Sequence, residues 1–238
     1  LCQSYVDRGY FPSCVVSIFD TQGTLHKKAY GANRLPSGEK RAADADTAFD
    51  MASCTKIATA TGILLAIDEG KLSLDEKLPQ VLPEISGYPQ LYERLKEVSV
   101  YRLLTHTSGI IDWYPFYTQC GKDFFEVFES FIGSTKIETQ MVYSDMNFML
   151  LGKVLERVKG KSLAACQQDL KQLLGAKRMD YLPEKTTPSQ SFDNVAPSCY
   201  GNAIEEHMVA ERGLIFRNWR SQARPTIGVN DGNAHYFF

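Results

Sequence analysis

Between Lys56 and Asp68 the chain carries no charge, and Ile57, Ala60, Ile63, Leu64 and Ile67 recur at helical spacing. Gly70 supplies a stop signal. A helix that is apolar nearly all round is a buried one, so this segment is expected at the centre of its fold. At its entrance stands Ser53-Cys54-Thr55-Lys56. A serine and a lysine three residues apart on a helix share one face, a turn apart. A serine hydroxyl is a weak nucleophile unless a neighbour takes its proton. A lysine whose pKa is lowered by partial burial can do that. An isolated Ser-x-x-Lys also fits a capping serine followed by a solvated lysine. The uncharged helix behind Lys56 weighs against a solvated lysine.

Two further segments hold chemistry-bearing residues. Tyr143-Ser144-Asp145 precedes a helical pattern that begins near Asn147. Tyrosine can serve as a general base. The same tripeptide also suits a core tyrosine followed by a capping Ser or Asp. In Thr105-His106-Thr107-Ser108-Gly109, neither a carboxylate pattern nor a Gly-x-Ser-x-Gly elbow surrounds Ser108. A tight turn is expected there, with His106 and the hydroxyls satisfying backbone groups.

Residues 14–20 and 24–30 read as a hairpin across Thr21-Gln22-Gly23. Residues 34–47 read as loop, and 71–92, with Pro79, Pro83, Gly87 and Pro89, as a loop-rich excursion. Helices are expected over 98–104, 124–132, 148–158, 163–174 and 205–212, with an extended loop over 181–202 and few regular signals over 225–238. A lone hairpin is not a stable sheet, so further strands are required, and the remaining sequence offers none.

The 238 residues, 44% hydrophobic and 23% charged, suffice for one large domain or two lobes. A net charge of -2 gives no basis for binding nucleic acid or an anionic membrane. No apolar run is long enough to span a bilayer. Cys2, Cys14, Cys54, Cys120, Cys166 and Cys199 include no Cys-x-x-Cys, and the four histidines are scattered, which argues against a zinc site. Cys54 is expected as a reduced thiol packed behind Ser53. The chain opens Leu1-Cys2-Gln3, without initiator Met or signal peptide, which suggests a trimmed product and leaves its compartment open.

Taken in order, Thr47-Ala48-Phe49-Asp50-Met51-Ala52-Ser53-Cys54-Thr55-Lys56, Gly70-Lys71-Leu72-Ser73-Leu74-Asp75, Leu104-Thr105-His106-Thr107-Ser108-Gly109-Ile110 and Tyr143-Ser144-Asp145-Met146-Asn147 through Gly152 form a specific pattern. It resembles the serine β-lactamase and penicillin-binding-protein superfamily, in the branch of class C β-lactamases, DD-peptidases and esterases. The resemblance runs from about Phe11 to the end. It implies an α+β fold, an antiparallel sheet packed with a mostly helical lobe. A single domain would span 1–238, with the hairpin and sheet part in 1–50 and the helical lobe and loops in 51–238.

The resemblance also implies a serine hydrolase that works through an acyl-enzyme on an ester, a β-lactam or a D-amino-acid peptide. Ser53 would be the nucleophile and one oxyanion donor through its N–H; Lys56 would activate it and Tyr143 would shuttle the proton. Ser144 and Asp145 would meet substrate. Asp145 stands where the family usually has Asn, adding a negative charge near the substrate amide. The family's third motif, Lys-Thr-Gly or His-x-Gly, is absent before the chain stops at Tyr236-Phe237-Phe238. Sheet strands thus look missing at the C-terminal side, and exposed apolar surface with self-association is expected. No metal or cofactor is implied; the expected partner is a small-molecule or peptide substrate. The alternative is a non-catalytic or truncated relative that binds a peptide or protein partner or self-assembles.

Overall fold

In the computed structural model the described residues are 1–119, 121–137, 139–176, 179, 194–223 and 231–236. The chain forms two units, Leu1–Ala52 with Leu182–Phe238, and Ser53–Tyr181. The first unit is discontinuous in sequence and the second is continuous.

In the first unit α1 (Cys2–Asp7) precedes β1 (Ser13–Asp20) and β2 (Gly23–Arg34). The two strands pair antiparallel, from Ser13 opposite Gly31 to Asp20 opposite Gly23. Asp20 closes the turn, its Oδ1 accepting from the N–H groups of Gln22 and Gly23 at 2.8 and 3.1 Å. At Gly31 φ is +79°, and a Cβ there would lie 2.1 Å from the Pro12 carbonyl oxygen, so only glycine fits. A third strand, β3 (Lys40–Ala42), pairs antiparallel with β2. It lies inside the segment expected as loop. Lys-Arg-Ala has no apolar alternation to announce a strand. The sheet order is β1-β2-β3. Later in this unit Ala48 makes a parallel bridge with Val195, and Asn194 Nδ2 donates to Asp44 at 2.8 Å. Helices follow at Ala203–Glu211 and Gly232–Tyr236. Residues 180–193 and 224–230, within the expected extended loop and the poorly patterned tail, lie outside the described residues.

The second unit is helical. A 3-10 turn, Ala52–Cys54, leads into α2 (Thr55–Asp68). Short helices α3 (Leu78–Val81) and α4 (Pro89–Leu95) fill the segment expected to be loop-rich. The prolines there start helices: Pro79 and Pro89 sit in first turns, where the missing N–H has no helical partner to lose. Next come α5 (Val100–Leu104), α6 (Phe124–Ile132), α7 (Asp145–Lys159) and α8 (Leu163–Leu173). Asp123 caps α6 in a reciprocal box with Glu126, and Ser162 caps α8. Gly160, at φ +65°, ends α7.

α7 packs against α2 and α5, and α8 against α2 and α7. Ile63 and Ala66 of α2 and Leu151 and Leu155 of α7 are buried here. Phe116, Phe124, Phe128 and Phe131 build a second cluster, with Phe116 and Phe128 centroids 5.1 Å apart, edge to face. The expectation of an all-round buried α2 is corrected. Thr59, Ile63 and Ala66 are buried, whereas Ile57 is 70% and Leu64 54% exposed. α7 and α8 cover one side of the helix only, and the other apolar side faces outward.

Candidate active site

Ser53 and Lys56 meet because the 3-10 turn and the first turn of α2 place them on one face. Lys56 Nζ lies 3.0 Å from Ser53 Oγ. Ala52, just before the serine, has φ +42°, a conformation that a side chain disfavours. Such backbone strain gathers at functional sites. Ser53 is exposed, while the Lys56 side chain keeps only 16% of its accessibility.

α7 brings the second set of groups. Asp145, in its first turn, accepts from Lys56 Nζ through Oδ1 at 2.6 Å. Lys56 Nζ also sits 4.8 Å from the centroid of the Tyr143 ring and 5.8 Å from that of Phe148. Burial pulls the Lys56 pKa down, but bonds to Asp145 and Tyr143 outweigh it and hold the ammonium above the ordinary lysine value. This reverses the lowered pKa expected from partial burial alone. An ammonium can only donate, so Ser53 Oγ is its acceptor. The hydroxyl proton is left free to go elsewhere.

The segment before α7 hangs from residues 106–112. Val142 N–H donates to the His106 carbonyl at 3.0 Å and Asp145 N–H to the Asp112 carbonyl at 2.8 Å. Ser144 N–H donates to His106 Nδ1 at 3.0 Å, and Ser144 Oγ donates to the Ile111 carbonyl at 2.5 Å. Ser144, expected to meet substrate, is fully buried, and its hydroxyl is engaged with backbone. Tyr143 is 53% exposed, with its ring 4.7 Å from that of His106.

His106 and Ser108 thus form the hydrogen-bonded turn that their sequence suggests. Ser108 Oγ donates to Asn147 Oδ1 at 2.6 Å, both residues being buried. Cys54 is a free thiol as expected, but exposed and not packed behind the serine. Sequence reasoning missed the Ile111 and Asp112 carbonyls that carry this segment. Backbone acceptors leave no mark in residue type, so no signal could have disclosed them. Among the described residues no cluster of His, Cys, Asp and Glu could hold a metal, and no helix is long and apolar enough to cross a membrane.

Ser53 and Lys56 at the start of α2 and the Tyr143 ring from just before α7 are thus gathered around one ammonium. Residues 1–179 match the Beta-lactamase family, and the chain belongs to it. It is 32% identical over 190 residues to an N-acetylmuramyl-L-alanine amidase of Bacillus subtilis, covering 73% of this chain and 43% of that protein. It is 33% identical over 119 residues to a lovastatin esterase of Penicillium rubens, covering 45% of this chain and 30% of that one. A class C β-lactamase crystal structure superposes with a TM-score of 0.66 at 23% identity, covering 91% of this chain and 55% of the other. The fold is therefore β-lactamase/transpeptidase-like, as the motifs imply, and the chain spans about half the length of the amidase and of the class C β-lactamase.

Proposed function

We propose that this chain carries the acyl-transfer site of a serine hydrolase, with Ser53 as nucleophile. The observation that carries the reading is the 3.0 Å contact of Ser53 Oγ with a Lys56 that also lies under the Tyr143 ring. Ser53 Oγ attacks a carbonyl carbon and its proton passes to the Tyr143 oxygen. The tetrahedral oxyanion takes a hydrogen bond from the Ser53 N–H. The proton then returns to the leaving group as the acyl-enzyme forms, and water reverses the sequence. Lys56, held charged, has no lone pair with which to take that proton, which leaves the shuttle to Tyr143.

Asp145 bears on the substrate. A carboxylate accepts but cannot donate, unlike the asparagine of the usual motif, so it offers no N–H to an acylamino carbonyl. An ester fits this site better than a β-lactam or a D-amino-acid peptide. A second reading, a non-catalytic binding protein, is favoured by the same short ion pair, which engages the lysine's charge.

Intact mass spectrometry after exposure to a labelled penicillin and, separately, to a fluorophosphonate decides between them. We expect a fluorophosphonate adduct that disappears in Ser53→Ala while the far-ultraviolet spectrum is unchanged. An adduct that persists in Ser53→Ala would remove the nucleophile assignment. No adduct on folded wild-type protein would favour the binding reading.

A further inference from the structure

The acyl-transfer reading gives the Thr105-His106-Thr107-Ser108-Gly109 turn no task, yet His106 holds both neighbours of Tyr143. Its carbonyl accepts the Val142 N–H at 3.0 Å, and its ring Nδ1 accepts the Ser144 N–H at 3.0 Å. The same ring packs 4.7 Å from Tyr143 and 5.3 Å from Phe148, centroid to centroid. From the geometry we infer that His106 is a positioning residue, a neutral imidazole protonated on Nε2 that fixes Tyr143 and Asp145 against Lys56. The inference rests on the reading of Ser53 as nucleophile.

The hydrogen-bond chain settles the tautomer. A backbone N–H can only donate, so Nδ1 accepts from Ser144. Ile110 N–H donates to Ser108 Oγ at 3.2 Å, and the Ser108 hydroxyl donates to Asn147 Oδ1 at 2.6 Å. That turns the Asn147 amide nitrogen toward His106 Nδ1, 3.2 Å away, as a second donor. Two donors on one ring nitrogen leave no room for a proton there, and the proton of the neutral ring sits on Nε2.

The backbone adds a separate sign. His106 has φ +57°, a left-handed conformation that glycine adopts far more readily. Glycine would serve such a turn equally well; the ring acceptor shared by Ser144 and Asn147 supplies the reason for histidine.

The charged and titratable groups facing the ring are Lys56 from α2, Asp145 from α7 and Tyr143 before it. Burial and the Lys56 charge lower the His106 pKa, with Asp145 opposing, so the ring is neutral at pH 7. In acid, a proton on Nδ1 would face the Ser144 N–H donor head on, and the hold on the segment would be lost.

The test compares wild type, His106→Gly and His106→Asn by rate of Ser53 labelling with a fluorophosphonate across pH 4–8. Asparagine tolerates positive φ, and its Oδ1 can replace Nδ1 as acceptor. Glycine should slow labelling by on the order of 10²-fold, the usual effect of a small misplacement, and asparagine should recover most of it. The wild-type rate should also fall on acidification below the ordinary histidine range, a limb that the Asn variant lacks. Nitrogen-15 spectra of wild type at neutral pH should show the Nε2–H tautomer, with the Ser144 amide protected from exchange. Wild-type speed in the Gly variant, an acid limb that survives in the Asn variant, or a proton on Nδ1 at neutral pH would each overturn the inference. A wild type that takes no label would instead end the Ser53 reading, while the tautomer and the Ser144 amide still decide whether His106 holds the segment.

Discussion

Lys56 donates to two oxygens of different character, the Ser53 hydroxyl at 3.0 Å and the Asp145 carboxylate at 2.6 Å. The first contact is local and legible as Ser-x-x-Lys. The second spans 89 positions, and only the docking of α7 on α2 creates it. Residue types alone therefore indicated the groups at this site but gave the wrong direction for the lysine. Desolvation could be anticipated from an apolar helix; a carboxylate arriving from elsewhere could not. Asp145→Asn should remove the principal effect that raises the Lys56 pKa and leave Tyr143 alone to oppose burial, so the pKa falls. The neutral amine then exists at lower pH, so the basic limb of the pH profile for Ser53 labelling should move to lower pH. A limb that stays in place would mean that Lys56 does not govern it.

Helices were legible wherever a face is apolar and an end is signed. α6 and α8 lie close to where their periodicity puts them, because Asp123 and Ser162 cap them and one side of each is buried. α3 and α4 escaped because proline reads as a breaker until its place in the first turn is known. β3 escaped because a three-residue polar strand carries no pattern. At the crossing of α2 and α7, Gly62 decides how closely the helices approach. An added Cβ would lie 2.7 Å from Leu155 Cδ2. Gly62→Ala gains about 1 kcal/mol in helix propensity but overpacks a filled core at about 1–3 kcal/mol. We expect a net loss of about 1 kcal/mol in urea unfolding and slower labelling of Ser53, since the same crossing sets Lys56 against Asp145. A stabilised variant would show that Leu155 moves aside without cost.

Across the whole molecule, apolar side chains face outward in both units. Ile18, Phe19 and Leu25 are 53, 74 and 67% exposed in the β1–β2 pair, and Ile57 and Leu64 stand out from α2. Large apolar side chains exposed to this extent favour association. Sedimentation velocity should therefore show concentration-dependent self-association, weakened in Phe19→Lys with no change in the rate of Ser53 labelling. A wild type that stays monomeric over the same range would place these side chains among harmless surface apolar groups. The support of the 142–145 segment has a consequence for descent. Its ties to residues 106–112 run through the N–H groups of Val142, Ser144 and Asp145 and the buried Ser144 hydroxyl, so those hydrogen bonds do not depend on which side chain stands at 143 or 145. Mutation can therefore exchange amide for carboxylate at 145 without moving the frame, and lineages on this scaffold can try new charge at an old address one codon at a time.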